Sequence, residues 1–205
     1  GLVDVVFVTE AAGERYLSLL IDLPVCPVTD RAMRALSETV TPAGLVAVCR
    51  LPGESLDDIL ADNPALIVVA VDISDPGNAG TLIRLADALG AGAVVFAGDA
   101  VDPYNGKCVR SSAGSIVAVP VCTEPDTAAL MDRLRTAGLQ ILATTLTGEL
   151  SLDDAQPILA ARTAWLFGPE SRGLPEQVAG RADRRIVIPM SGAVDSLNVA
   201  AAAAI

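Results

Sequence analysis

The 205 residues carry a net charge of −11, with hydrophobic residues at 52 % and aromatics at only 3 %. That length suits one large domain or two modest ones, with ample chain for a buried core. The acid excess, shared by both parts of the chain, argues against a generic nucleic-acid binder with a broad basic face.

No apolar run approaches the ~18 residues of a membrane span, and no charged-then-apolar leader opens the chain. The expectation is a cytoplasmic protein without a membrane partner. The abrupt start in GLVDVVFVTE and stop in VAAAAAI point to continuation at both ends, the last helix included. There is no histidine, and Cys26, Cys49, Cys108 and Cys122 show no CxxC spacing. Neither a zinc site nor a Cys–His nucleophile pair is expected, and the thiols read as free in a reducing compartment.

In chain order, VDVVFVT reads as a strand and EAAGERYLSLLI as one helix with Leu17, Leu20 and Ile21 on its apolar face. PVCPV is a short strand, TDRAMRALSE a helix capped by Thr29 or Asp30, and LVAVCRL a third strand. Together they make a small α/β unit over residues 1–50. LPGESLDDILADNP mixes proline, glycine and acids, and reads as a linker or boundary helix over 51–64.

From Ala65 onward, the apolar strands ALIVVAV, AVVFAG, SIVAVPV, LQILATT, TAWLFG and RRIVIP alternate with helices such as AGTLIRLADALG and TAALMDRLRTAG. This predicts a mainly parallel sheet covered on both faces, with ligands outside the carboxyl ends of its strands. The loops after Val71, Ala97, Thr144, Phe167 and Ile188 are therefore the candidate positions.

ISDPGNAGTLIR, the first of these, contains neither GxGxxG nor GxxxxGK[ST]. Pro76-Gly77 suit the centre of a type II turn, and Asn78 suits a helix N-cap. Arg84 falls off the stripe of Leu82, Leu85, Ala86 and Leu89 and leans back over Gly80, which has no side chain to obstruct it. A solvated arginine beside a routine cap would read the same way.

LFGPESRGL brackets Glu170 between Gly168 and Gly173, and its backbone amides can hold a ligand's polar edge. A plain strand-to-helix turn fits equally. RRIVIPMSGAVDSLNVAAAAAI ends a strand at Ile188-Pro189 and starts a helix capped by Asp195 or Ser196, where Asn198 needs a partner for its amide. Between these loops, DPYNGKCVRSSAGS supplies Lys107 and Arg110, which suit a phosphate contact or a solvated helix face alike.

Taken together and in this order, DPGNAGTLIR, LFGPESRGL and IPMSGAVDSLNVAAAAAI resemble the three signature motifs of the SpoU-type (TrmH-like) RNA 2′-O-ribose methyltransferases of the SPOUT superfamily. DPYNGKCVRSSAGS resembles a further family segment. Residues 1–50 more loosely resemble the small ribosomal-protein-like RNA-binding domain of rRNA-modifying members, including thiostrepton-resistance-type enzymes.

The resemblance implies a SPOUT domain over 65–205 with a deep trefoil knot, and a homodimer. It implies S-adenosyl-L-methionine as cofactor, contacted by Leu146, Gly168, Ile188, Met190 and Leu197. It also implies a polar constellation of Asn78, Arg84, Glu170, Ser196 and Asn198 around the methyl group. Lys107 and Arg110 are then RNA contacts, and the substrate is a structured RNA, 23S rRNA in preference to tRNA.

Such methyl transfer is an in-line displacement by a ribose 2′-oxygen, and the activated cofactor removes the need for a metal. The protein must align the reacting atoms and dispose of the hydroxyl proton. The family's usual assignment makes the first-motif arginine, here Arg84, the general base. A guanidinium holds its proton too tightly for that role. The residue chemistry favours Arg84 as a clamp on phosphate and developing alkoxide, with the proton passing to water or Glu170.

Two other readings stay open. A Rossmann-type enzyme needs a glycine-rich fingerprint after Val71; that is missing, although Asp99 follows AVVFAG. A non-catalytic RNA-binding or ribosome-assembly protein retaining the fold would differ in failing to bind S-adenosyl-L-methionine.

Overall fold

The computed structural model describes residues 1–192 and 196–205. The chain forms two compact units, Gly1–Pro52 and Gly53–Ile205. In the first, β1 (Val3–Val8) lies between β2 (Val25–Pro27), to which it is parallel, and β3 (Leu45–Cys49), to which it is antiparallel. The hydroxyls of Thr9 and Thr29 cap α1 (Glu10–Arg15) and α3 (Asp30–Leu36).

Val6, Val8, Ala12 and Met33 are the buried apolar residues of this unit. The single helix expected from EAAGERYLSLLI breaks at Tyr16 into α1 and α2 (Leu17–Leu20), and Leu17 and Ile21 remain 67 % and 64 % exposed. Ala12 faces inward instead, and the backbone at Gly44 sits directly against Ala12 and Thr9 with no room for a Cβ of its own.

In the second unit, α4 (Leu56–Ala61) falls within the stretch read as a linker, and its Leu56 and Ile59 are buried in that unit's core. Seven strands follow: β4 (Leu66–Val71), β5 (Ala93–Ala97), β6 (Val121–Glu124), β7 (Gln140–Thr144), β8 (Leu150–Ser151), β9 (Thr163–Phe167) and β10 (Arg184–Val187). They make one parallel sheet in the order β6-β5-β4-β9-β7-β10-β8.

The helices are α5 (Pro76–Ala88), α6 (Gly106–Ser111), α7 (Thr127–Thr136), α8 (Glu176–Ala179) and α9 (Val199–Ala204). Side-chain alternation divides the core between the two faces. Ile67, Val69 and Val71 meet residues of α4 and α7, whereas Val68 and Ala70 meet residues of α5, α6 and α9. Burial on both faces accounts for the unbroken apolar runs.

SIVAVPV forms a strand only at its end. Gly114, at φ 98°, turns the chain into a 3-10 turn over Ser115–Val117 before β6 begins. The two-residue β8 is too short to leave a pattern in the sequence. No helix among the described residues is long and apolar enough to cross a membrane.

Strand order reverses beside β4. The chain proceeds outward through β5 and β6, then resumes on the other side with β9 inserted next to β4. Open parallel sheets place a crevice at such a switch point, outside the strands' carboxyl ends.

Candidate active site

The turn after β4 is built around Asp75. Its carboxylate caps α5 by accepting from the amide of Asn78 at 2.9 Å, and Pro76 takes the first helical position, where a fixed φ and a missing N–H cost nothing. Pro76-Gly77 are thus the first turn of the helix rather than a type II turn, and Asn78 lies inside α5 rather than capping it. A capping residue followed directly by proline was the available signal in the sequence.

Relieved of capping, the Asn78 carboxamide faces the other loops. Its Nδ2 donates to Glu170 Oε1 at 2.7 Å, and its Oδ1 accepts from Asn198 Nδ2 at 3.0 Å. Asn198 is itself the cap of α9, its Oδ1 accepting from Ala200 N and Ala201 N at 3.0 and 3.4 Å. That orientation turns Asn198 Nδ2 outward to Glu170 Oε1 at 2.7 Å, where Val199 N also donates at 3.3 Å. Of the caps expected for this helix, Asp195 lies outside the described residues and Ser196 precedes the true cap.

One carboxylate oxygen therefore receives three N–H donors from two other loops. Glu170 Oε2 has no donor among the described residues. The carboxylate is held at the crown of a tight turn: Gly173 N donates to Pro169 O at 2.7 Å, with Gly173 at φ 66°. A Cβ on Gly168 would stand 2.5 Å from Leu174 N, so the turn closes only on glycine.

Leu146, Gly168, Ile188, Met190 and Leu197 all line a single cavity beside this cluster, and Glu170 and Ser196 complete its polar side. Ser196 makes no side-chain hydrogen bond within the described residues. Thr144, on the same wall, marks a candidate loop in the sequence but is not itself among the expected site residues. Its Oγ1 is buried without a partner among the described residues.

The remaining candidates stand outside this network. Arg84 is exposed on α5 and bonds to none of the described residues. Gly80 does not serve to clear a path for it. Gly80 is buried, and a Cβ there would fall 1.9 Å from Ser111 Oγ and 2.4 Å from Cys108 O, so its bareness lets α6 pack against α5.

Lys107 Nζ pairs with Asp75 Oδ2 at 3.2 Å, and Ser111 Oγ donates to Pro76 O at 3.1 Å. The amide of Asn78, followed by the Lys107 ammonium, holds the Asp75 carboxyl below its ordinary value. The first turn of α5 is thereby braced from α6. Arg110 is exposed on α6 and also has a partner.

Residues 65–205 match the model of the SpoU rRNA Methylase family. The chain belongs to the SpoU family. Among its relatives is the 23S rRNA (guanosine(2553)-2′-O)-methyltransferase RlmP of Bacillus subtilis, 34 % identical over 177 residues, covering 86 % of this chain and 68 % of that protein. The 23S rRNA (uridine(2479)-2′-O)-methyltransferase of Streptomyces viridochromogenes is 36 % identical over 182 residues, covering 85 % of this chain and 62 % of that one. The chain thus spans about two-thirds of these curated SpoU relatives.

Among solved structures, the SpoU methyltransferase AviRb from Streptomyces viridochromogenes, in complex with the cofactor AdoMet, matches with a TM-score of 0.85 and 30 % identity. That match covers 98 % of this chain and 79 % of AviRb.

Proposed function

We propose that this chain transfers the methyl group of S-adenosyl-L-methionine to a ribose 2′-hydroxyl of 23S rRNA. The observation that carries the reading is the joining of Asn78, Glu170 and Asn198 on one carboxylate oxygen, beside the cavity lined by Leu146, Gly168, Ile188, Met190 and Leu197. The activities of the two curated relatives and the AdoMet complex of AviRb support it.

The cavity suits this cofactor. Its apolar wall fits an adenine, the unpartnered Thr144 hydroxyl can meet a ligand heteroatom, and Glu170 brings negative charge to a sulfonium. When bound, the cofactor supplies a methyl group already activated on positively charged sulfur.

The chain's own residues do the rest. Asn78 and Asn198 fix Glu170 through Oε1, which leaves Oε2 to accept the hydroxyl proton directly or through water. Ser196 orients ribose or cofactor from the cavity wall. The exposed guanidinium of Arg84 clamps a neighbouring phosphate and steadies charge on the 2′-oxygen. Lys107 and Arg110 contribute RNA contacts.

In the same reading, residues 1–50 bind RNA, the boundary segment 51–64 leads into the second unit and packs α4 in its core, and 65–205 form the SPOUT domain of a cytoplasmic enzyme. Its knot is supported by the interleaved order in which β10 lies between β7 and β8, two strands consecutive in sequence. A homodimer is supported by an apolar groove lined by Leu85, Leu89, Trp165 and Ala203; a monomeric mass by light scattering would remove it.

The deciding experiment is transfer of tritiated methyl from S-adenosyl-L-methionine to separate rRNA and tRNA pools, followed by mapping of the 2′-O-methyl position. Label in 23S rRNA is expected. Label in tRNA alone would move the substrate, and none in either pool would overturn the reading.

A further inference from the structure

The cations of the second unit are sorted by partner. Arg133 bridges Asp57 and Glu124, Arg135 reaches Asp183, Arg181 reaches Asp132, and Arg185 holds Glu149. Arg162 donates to the carbonyls of Pro64 and Ala137, and Arg184 to that of Asp183. These six lie on α7, just after α8, or around the starts of β9 and β10. Apart from Arg133, whose partner Glu124 closes β6 at the carboxyl end, these lie at the end of the parallel sheet remote from the Glu170 cluster.

At the cluster's end the pattern changes. Lys107 and Arg110 have partners, but Arg84 and Arg172 are exposed and bonded through their side chains to none of the described residues. Arg84 rides on the helix that carries Asn78. Arg172 stands two residues from Glu170, in the turn pinned by Gly173 N and Arg172 N on Pro169 O at 2.7 and 3.4 Å. Its Cα therefore lies within about 7 Å of that of Glu170.

A guanidinium paired with a carboxylate adds little net field, whereas an unpaired one creates a local positive potential even on an acidic body. We propose that Arg172 grips an RNA phosphodiester beside the reacting ribose and forms, with Arg84, an anion site on this acidic chain. The proposal rests on the reading of the chain as an RNA methyltransferase and adds a substrate contact to it. A planar, always-charged fork suits a phosphate, which it can hold through two parallel hydrogen bonds.

The test is binding of an unmodified 23S rRNA transcript at salt between about 50 and 200 mM. Neutralising one phosphate contributes about 0.7–0.9 to the slope of log affinity against log salt. Arg172→Gln is expected to lower the slope by that amount and to raise the RNA KM, while kcat and the Kd for S-adenosyl-L-methionine stay unchanged. Arg172→Lys should restore the slope. Arg181→Gln, which removes a cation already paired with Asp132, should leave it as in the wild type.

A wild-type slope in Arg172→Gln, or an equal loss in Arg181→Gln, overturns the proposal. So does a fall in slope accompanied by a fall in Tm that Arg172→Lys shares, since that would mark a damaged turn. If the wild type itself methylates no RNA, the functional reading fails. If it methylates RNA and Arg172→Gln binds with the wild-type slope, only this inference fails.

Discussion

Carboxylates in two regions of the second unit, the surroundings of α7 and the loop after β9, are held in opposite ways. Around α7, Asp57, Glu124, Asp132 and Asp183 meet guanidiniums, with N–O separations from 2.5 to 3.3 Å for the closest pairs. In the loop after β9, Glu170 meets only neutral donors, and all three converge on one of its oxygens. The first arrangement cancels charge and stitches surface elements together. The second fixes a side chain without neutralising it, and leaves one oxygen open beside a cavity. Orientation with charge retained is what general acid–base and electrostatic roles require.

The sharpest break of this contrast is Glu170→Gln. Glutamine can present its carbonyl to the same three donors, so geometry survives while charge is lost. Methyl transfer is expected to fall about 10²–10³-fold with the fold intact by circular dichroism. A rate close to wild type would show that the charge is idle.

Arg84→Lys comes next, with a rate lower by about tenfold or more from loss of the two-pronged grip. The pH–rate profile separates the two roles: an unchanged shape supports the clamp, whereas a profile moved to a lysine-like value supports the general base.

Asn198 serves both the α9 cap and the cluster, and two substitutions separate these tasks. Asn198→Ala removes both and should cost about 1 kcal/mol in stability as well as activity. Asn198→Asp keeps the cap acceptor but sets a second carboxylate against Glu170. Near-native Tm with activity lost is expected; activity retained would detach the cluster from the chemistry.

Asp75→Ala tests the support beneath Asn78. Loss of a cap costs about 1 kcal/mol, or about 2–4 °C in Tm for a chain of this size. Because the folded pKa lies below 3.8, the carboxylate's contribution is complete above that value and disappears as pH falls through the folded pKa. The Tm gap should be constant over about pH 5 to 8 and close under acid conditions.

Arg181→Gln, in the charge-cancelling region, should show the smallest effect. Its exposed pair with Asp132 is worth about 0–1 kcal/mol, and methyl transfer should not change.

The sequence displayed the sheet more clearly than the site's mechanics. Strands buried on both faces write continuous apolar runs, so β4, β5, β7, β9 and β10 were legible with nearly correct ends. The three loops were legible as well, and their residues do converge. What local pattern could not resolve was which of several good caps is used. Asp75 and Asn78 both suit the start of α5; Asp75 takes the cap, while Glu170 and Asn198, distant in sequence, engage the Asn78 side-chain carboxamide.

Gly80 shows the same difficulty. Its neighbours in sequence suggested room for Arg84, while its neighbours in space are Ser111 and Cys108 of α6. In the first unit, the Leu17, Leu20 and Ile21 periodicity was real but stayed largely exposed, because the helix breaks at Tyr16 and the buried position, Ala12, falls on the piece before the break. The partners that sort the arginines come mostly from elements far apart along the chain.

The four thiols divide between the units. Cys26 and Cys49 are exposed, whereas Cys108 and Cys122 are 0 % and 8 % exposed, with burial pushing their thiols up to about 11 and 12. An alkylating reagent at neutral pH should therefore mark the first unit at once and reach the second only when α6 or β6 opens. The protein carries a built-in stopwatch for local opening, with one sulfur on the helix that braces the active-site turn. A ligand that tightens that turn should be detectable, without any assay of catalysis, as a slower arrival of label at Cys108.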